Sequence, residues 1–182
     1  GFFGWIYMIM MPYMAVQVLN VSSSGTGILL TAAGCGAVIP TVMFARAGIK
    51  NRRMGICIGS FMAGFAIIGF AFTSYQFQSF SLTMVFVFII GLSSSIYMLS
   101  AISSIQLNVP HEFRGRIMGI YTITYSIVSL GGLYSGLMGG YIDRLLGIEH
   151  IGVPISIGLG GVIVVIGSVF LYLYNKSLKT EA

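Results

Sequence analysis

Val109-Pro110-His111-Glu112-Phe113-Arg114-Gly115-Arg116-Ile117-Met118-Gly119 interrupts a chain that otherwise avoids charge. No charged residue lies between Met54 and Pro110. A histidine, a carboxylate and two guanidiniums then fall within six positions, and charge vanishes again until Asp143. Charge confined to short breaks between long apolar runs is the pattern of loops between membrane spans.

Working outward, the composition supports the same reading. Charged residues make up 7% of the chain and hydrophobic ones 57%. A soluble domain carries about 25% charged residues, so this chain could not cover a surface facing water. A bilayer solvates apolar side chains directly. The charge-free runs are Gly1 to Ala45, Met54 to Pro110, Ile117 to Ile142 and Ile151 to Asn175. A spanning helix needs about 20 apolar residues. The first two runs therefore hold two spans each and the last two hold one each. Turn-forming residues at Asn20 to Gly25 and Thr73 to Ser79 divide the long runs. The expected spans are 1–19, 25–45, 54–73, 80–107, 117–142 and 153–174. The strict alternation of barrel strands is absent. The fold class is all-α integral membrane, with six transmembrane helices in one bundle over residues 1–182. The opening Gly1 to Trp5 lacks the charged start of a signal peptide, and a fragment of a longer chain is expected.

Lys and Arg fix the expected orientation. Arg46, Lys50, Arg52 and Arg53 follow span two, Arg114 and Arg116 follow span four, and Lys176 and Lys179 follow span six. Six spans put all eight on one face, which leaves only Arg144 on the other. The first face reads as cytoplasmic, with a cytoplasmic C-terminal tail. The net charge of +5 then follows from topology, and no nucleic-acid partner is implied.

Polar residues inside the spans are uneven. Ser93, Ser94, Ser95, Ser100, Ser103, Ser104 and Gln106 crowd the fourth, and Tyr121, Thr122, Thr124, Tyr125, Ser126, Ser129, Tyr134 and Ser135 the fifth. The third and sixth are nearly pure hydrocarbon. Spans four and five should face a polar interior, and three and six should face lipid. Most single Ser and Thr hydroxyls should bond back to their own helix. Tyr121 and Tyr125, one turn apart, are candidates to line a substrate cavity, with Gln17, Ser94 and Tyr97. Gly132, Gly136 and Gly140 form a double GxxxG and are expected to pack helices closely, as are Gly55 and Gly59. Cys35 and Cys57 form no ligand cluster and read as packing residues. No Asp, Glu, His, Lys or Arg falls at mid-membrane depth, so any proton-coupling group is expected in a part of the protein outside this sequence. A catalytic reading fails on placement. His111 and His150 sit at loop depth on opposite faces, away from any serine nucleophile, and no metal-ligand set exists. No enzyme activity, cofactor or metal is expected.

The stretch Gln106 to Tyr121 resembles the major facilitator superfamily. Gln106, Val109, Pro110, Glu112, Arg114, Gly115, Arg116, Ile117 and Met118 match the segment between helices ten and eleven in its bacterial enterobactin-exporter-like and macrolide-efflux-like branch. Ser129 to Gly136 is similar to the following helix, with Ser129 where the family often has Pro. Gly25 to Gly36 resembles helix eight. Asn51-Arg52-Arg53 looks like a degenerate copy of the basic loop motif, lacking its Asp. The resemblance implies helices seven to twelve, the C-terminal half of a twelve-helix transporter, with the missing N-terminal half as its partner. It also implies a bacterial inner-membrane location, alternating access, and proton-coupled efflux of a small organic molecule. Arg52, Arg53, Glu112, Arg114 and Arg116 would be structural gate residues at the cytoplasmic end. The competing reading is a sensor or scaffold that keeps the fold without transporting.

Overall fold

The computed structural model describes residues 3–48, 51–148 and 150–180; the side chains of His111, Thr124, Tyr125 and residues 174–180 are outside that description. Six helices follow one another, and no strand occurs among the described residues. They are α1 (Phe3–Val18), α2 (Ser23–Ala47), α3 (Arg52–Phe77), α4 (Phe80–Asn108), α5 (His111–Leu146) and α6 (Gly152–Thr180). Five of them, α2 to α6, are long and apolar enough to cross a membrane, whereas α1 is apolar but shorter. All six expected helices are present among the described residues, and the described part of α1 is the shortest of them. Pro12 lies inside α1, and the helix widens into a π-turn over Met14–Val18 before it stops. Proline lacks the N–H that would continue the ladder.

Two loops are also tighter than expected. Thr73–Phe77 is not a loop but a π-turn extending α3, and Gln78 reverses the chain with a left-handed φ of 45°. Arg114 and Arg116 do not sit in a turn either. Only Val109 and Pro110 break the backbone between α4 and α5. Val109 is extended, with ψ 126°, because the ring of a following proline clashes with a helical neighbour. Pro110 then opens α5, and the charges ride on its first turns.

α2 packs on α4, α4 on α3, α3 on α6, and α6 on α5, while α1 leans on α5, α6 and α2. Glycine sets the closest approaches. A Cβ on Gly91 of α4 would collide with the Ala33 carbonyl of α2, and one on Gly161 of α6 would lie 2.9 Å from the Gly64 carbonyl of α3. Such contacts supply dispersion where lipid removes the hydrophobic drive between helices. Only part of the expected α5 stripe packs within this bundle. Gly132 does meet Ile9 of α1, but Gly136 and Gly140 are exposed and meet nothing within 4 Å. The covered line is instead Gly131, Ser135 and Gly139, three residues at the same i, i+4 spacing. Gly139 lies against Gly152 of α6.

The two ends of the bundle differ. We call the end bearing Arg46, Arg52, Arg53, Arg114 and Arg116 the basic end and the opposite end the far end. The core of Ile6, Met11, Met14, Leu29, Ile67, Phe70, Val87, Ile90 and Ile157 fills the far half. α3 and α6 each show one exposed apolar face: Met54, Ile58, Phe61, Phe65 and Phe72 on α3, and Val162, Ile163, Ile166, Val169 and Phe170 on α6.

Candidate functional site: a cavity in the basic half

The far end is tied by specific bonds. Asp143 works twice. Its carbonyl accepts from the Gly147 N–H at 2.9 Å, closing α5, with Gly147 in the left-handed region at φ 65°. Its Oδ1 accepts from the Gly152 N–H at 2.7 Å, capping α6, whose first N–H groups have no partner in their own helix. The Tyr13 hydroxyl and His150 Nδ1 are 2.9 Å apart and join α1 to the α5–α6 loop. Ser135 and Ser156 share a buried 2.6 Å hydroxyl pair between α5 and α6. Ser74 and Thr83 pair more loosely, at 3.4 Å, between α3 and α4. In the sequence Asp143 marks only where charge returns after an apolar run, and its two caps do not show in that charge pattern. Gly147 four residues later was the available signal for the first; the second depends on how the loop folds back.

The basic half is looser. α5 touches α6 along Ser135 to Asp143 but meets α4 only sparsely. Between them lies a cavity of about 430 Å³, within the roughly 300–1,000 Å³ of small-molecule sites. Ser94, Tyr97 and Met98 of α4 face it, with Ser60 of α3, Tyr121 and Val128 of α5, and Ser168 and Phe170 of α6. Gly4 and Trp5, at the described start of α1, complete the wall. These α3, α4 and α5 residues lie about 8 to 17 residues from the basic end, or roughly 12–25 Å at 1.5 Å per residue. That is mid-membrane depth for a core roughly 30 Å thick.

Packing explains how the polar groups reach it. A Cβ on Gly59 would sit 2.6 Å from the Tyr97 backbone nitrogen, so only glycine lets α3 and α4 meet here. That approach puts Ser60 and Tyr97 on adjoining walls. Several span hydroxyls, including that of the lining residue Ser168, bond their own helix. Ser93 donates to the Ile89 carbonyl at 2.7 Å, Thr122 to Met118 at 2.9 Å, and Ser168 to Val165 at 2.7 Å. Among the described residues the lining carries no ionisable acid or base other than tyrosine. Its chemistry is aromatic and aliphatic surface with a few hydroxyls.

Of the five cavity candidates, Ser94, Tyr97 and Tyr121 come together here. Gln17 does not: it is exposed in the π-turn of α1 near the far end. The side chain of Tyr125 lies outside the described residues. Trp5, Ser60, Ser168 and Phe170 were not foreseen. Ser168 and Phe170 sit on a helix read as wholly lipid-facing, and periodicity alone does not say which face of an apolar helix turns inward.

The gate candidates are not brought together. Arg53, Glu112, Arg114 and Arg116 are exposed, and among the described residues they form no ion pair with one another. Neither arginine of α5 bonds the terminal carbonyls of α4. Arg52 is half-buried, and its Nε is buried without a hydrogen-bond partner; so is the Ser100 hydroxyl.

The helical bundle and its span-length apolar helices have the architecture of a multi-pass membrane protein. The chain matches the Major Facilitator Superfamily over residues 1–181. It belongs to that family. No curated protein and no solved structure matches it. The family's members are membrane transporters rather than enzymes and handle small molecules, so this multi-pass membrane chain is a membrane transporter.

Proposed function

We propose that this chain is the C-terminal six-helix half of a twelve-helix exporter, working by alternating access with an N-terminal half. Its substrate is a small organic molecule of mixed polarity, of the macrolide, siderophore or drug type. The observation that carries this reading is the 430 Å³ cavity of Tyr97, Tyr121, Ser94 and Ser60 at mid-membrane depth. Tyrosine pairs a large apolar ring with one hydroxyl, which suits an amphipathic ligand. The absence of an acid or base in the described lining favours uncharged parts of that ligand. If transport is proton-driven, the titrating group is supplied by the N-terminal half.

The exposed face of α5, with Thr122, Ser126, Ser129, Gly136 and Gly140, is then where the other half packs. Its mixed polarity and small residues suit a helix contact better than lipid. The basic end faces the cytoplasm of a bacterial inner membrane, in keeping with the Lys and Arg bias.

The test is the full-length protein in vesicles with an imposed proton gradient, offered a macrolide, a siderophore and a cationic dye. Gradient-dependent flux of at least one is expected, and the double change Tyr97→Ala with Tyr121→Ala should depress it. No such flux, with a second protein copurifying from the membrane, would instead support the sensor or scaffold reading.

A further inference from the structure

A second hollow, of about 190 Å³, lies on the outer seam between α3 and α6. Cys57, Ile58 and Phe61 form one wall, and Ser168, Val169 and Tyr172 the other. The Ser168 hydroxyl is taken up by the Val165 carbonyl, which leaves the seam apolar. The surrounding side chains Met54, Phe65, Ile166 and Leu173 are exposed and apolar. In a multi-pass membrane protein such a surface meets acyl chains.

The packing register shows what stands at the end of this seam. A Cβ on Gly64 would meet Val165 at 2.6 Å, one on Gly161 would meet Ile68 at 2.8 Å, and one on Gly158 would meet Ala71 at 3.7 Å. These three contacts define one antiparallel register, each step forward on α3 matched by a step back on α6. Continued toward the basic end, it sets Phe61 level with Ser168 and Cys57 level with Tyr172, the walls of the hollow. One turn further it sets Arg53 level with Lys176. Arg53 is exposed, and no carboxylate lies within a turn of either cation on its own helix. One helical turn is about 5.4 Å, the scale of the glycerol ester linkage between a lipid phosphate and its acyl chains.

We infer that this seam is a binding site for one membrane phospholipid. An acyl chain occupies the hollow, and the phosphate sits at the level of Arg53 and Lys176. The site rests on the membrane setting of the chain, not on the transport reading. Two cations at the headgroup level favour an anionic lipid.

The purified protein, reconstituted in vesicles of phosphatidylcholine and phosphatidylglycerol at three to one and re-extracted in mild detergent, is weighed intact by native mass spectrometry. The expected result is one retained phospholipid per chain, with phosphatidylglycerol enriched above its bulk share. Arg53→Gln with Lys176→Gln should cut the affinity ratio of phosphatidylglycerol to phosphatidylcholine about tenfold, and Arg53→Lys with Lys176→Arg should restore it. Cys57→Leu, which fills the hollow, should lower occupancy by either lipid about fivefold; Val169→Phe is the second filler if the first does not elute as a monodisperse species. Phe65→Leu, outside the hollow, should change nothing. Retained lipid that follows the bulk composition and is indifferent to both groups of variants would overturn the site and leave only a fluid lipid shell.

Discussion

The far half and the basic half of this bundle are built from the same helices and hold together differently. In the far half the apolar core is continuous, and side-chain bonds cross between α1, α5 and α6 at Tyr13–His150, Ser135–Ser156 and Asp143–Gly152. In the basic half α5 stands off α4, a cavity opens, and two buried polar atoms, Arg52 Nε and Ser100 Oγ, have no partner. A buried polar atom left unpaired costs free energy. The difference teaches that the fold concentrates its cross-helix bonds and packing at one end. The other end has the room that a helix shift or a ligand would need, as local stability arguments expect of working regions.

The comparison breaks most visibly at glycines. Gly152→Leu forces a side chain into the Gly139 backbone. Overpacking of this kind costs about 3 kcal/mol or more when the obstacle is backbone. A large fall in thermal midpoint and in folded yield is expected by size-exclusion chromatography of heated samples. Gly119→Leu, in the basic half of α5, meets open space and should leave both unchanged. Equal loss at the two sites would mean that the halves are equally tight.

A smaller effect is expected at the cavity. Removing both rings with Tyr97→Ala and Tyr121→Ala should weaken binding of a transported compound roughly thirtyfold, about 2 kcal/mol, measured by fluorescence titration of the reconstituted full-length protein. Thermal stability should fall much less than for Gly152→Leu, because the rings border a void and not the far-half core. Unchanged affinity would remove these residues from the binding surface.

What could be read from the sequence follows the same division. Span positions were legible because charge is expelled from the hydrocarbon, so the gaps around Arg46 to Arg53 and Glu112 to Arg116 mark helix ends. The membrane class needed only composition. The packed ridge of α5 was not legible. Gly132-Gly136-Gly140 and Gly131-Ser135-Gly139 are neighbouring rows with the same spacing, and choosing between them requires the rotation of α5 against α6. Ser94, Tyr97 and Tyr121 stood out as polar groups in apolar runs. Phe170 and Trp5 could not, since an aromatic residue on an apolar helix carries no mark of the face it occupies. The second cap made by Asp143 depends on a loop conformation that brings residues 143 and 152 together.

That cap provides the third test. Asp143→Ala removes the acceptor for the Gly152 N–H, and loss of a helix cap costs about 1 kcal/mol. The expected drop in thermal midpoint is modest, and Asp143→Asn should recover most of it, because an amide oxygen can take the same N–H. If Asn recovers nothing, the carboxylate acts through charge and not through the cap.

The smallest expected effect has the opposite sign. Ser100 is fully buried on α4, and its hydroxyl lies against Gly55 of α3 with no hydrogen-bond partner. Its neighbour Ser104 donates to the Ser100 carbonyl at 2.8 Å, so the backbone there is satisfied while the side chain is not. Ser100→Ala deletes the unpaired group and barely changes volume. Relieving such a group should stabilise the bundle by about 0.5–1 kcal/mol, read as a slightly higher thermal midpoint in detergent. The same change at Ser135, whose hydroxyl pairs with Ser156, should lower the midpoint by a similar amount, because it deletes a bond between α5 and α6 and leaves Ser156 chiefly its bond to the Val153 carbonyl of its own helix. Opposite signs for two buried serines on Ser→Ala exchange would locate the difference between the halves in hydrogen-bond satisfaction. Equal signs would place it in packing alone, and the unpaired hydroxyl at Gly55 would then have no part in making the basic end the looser one.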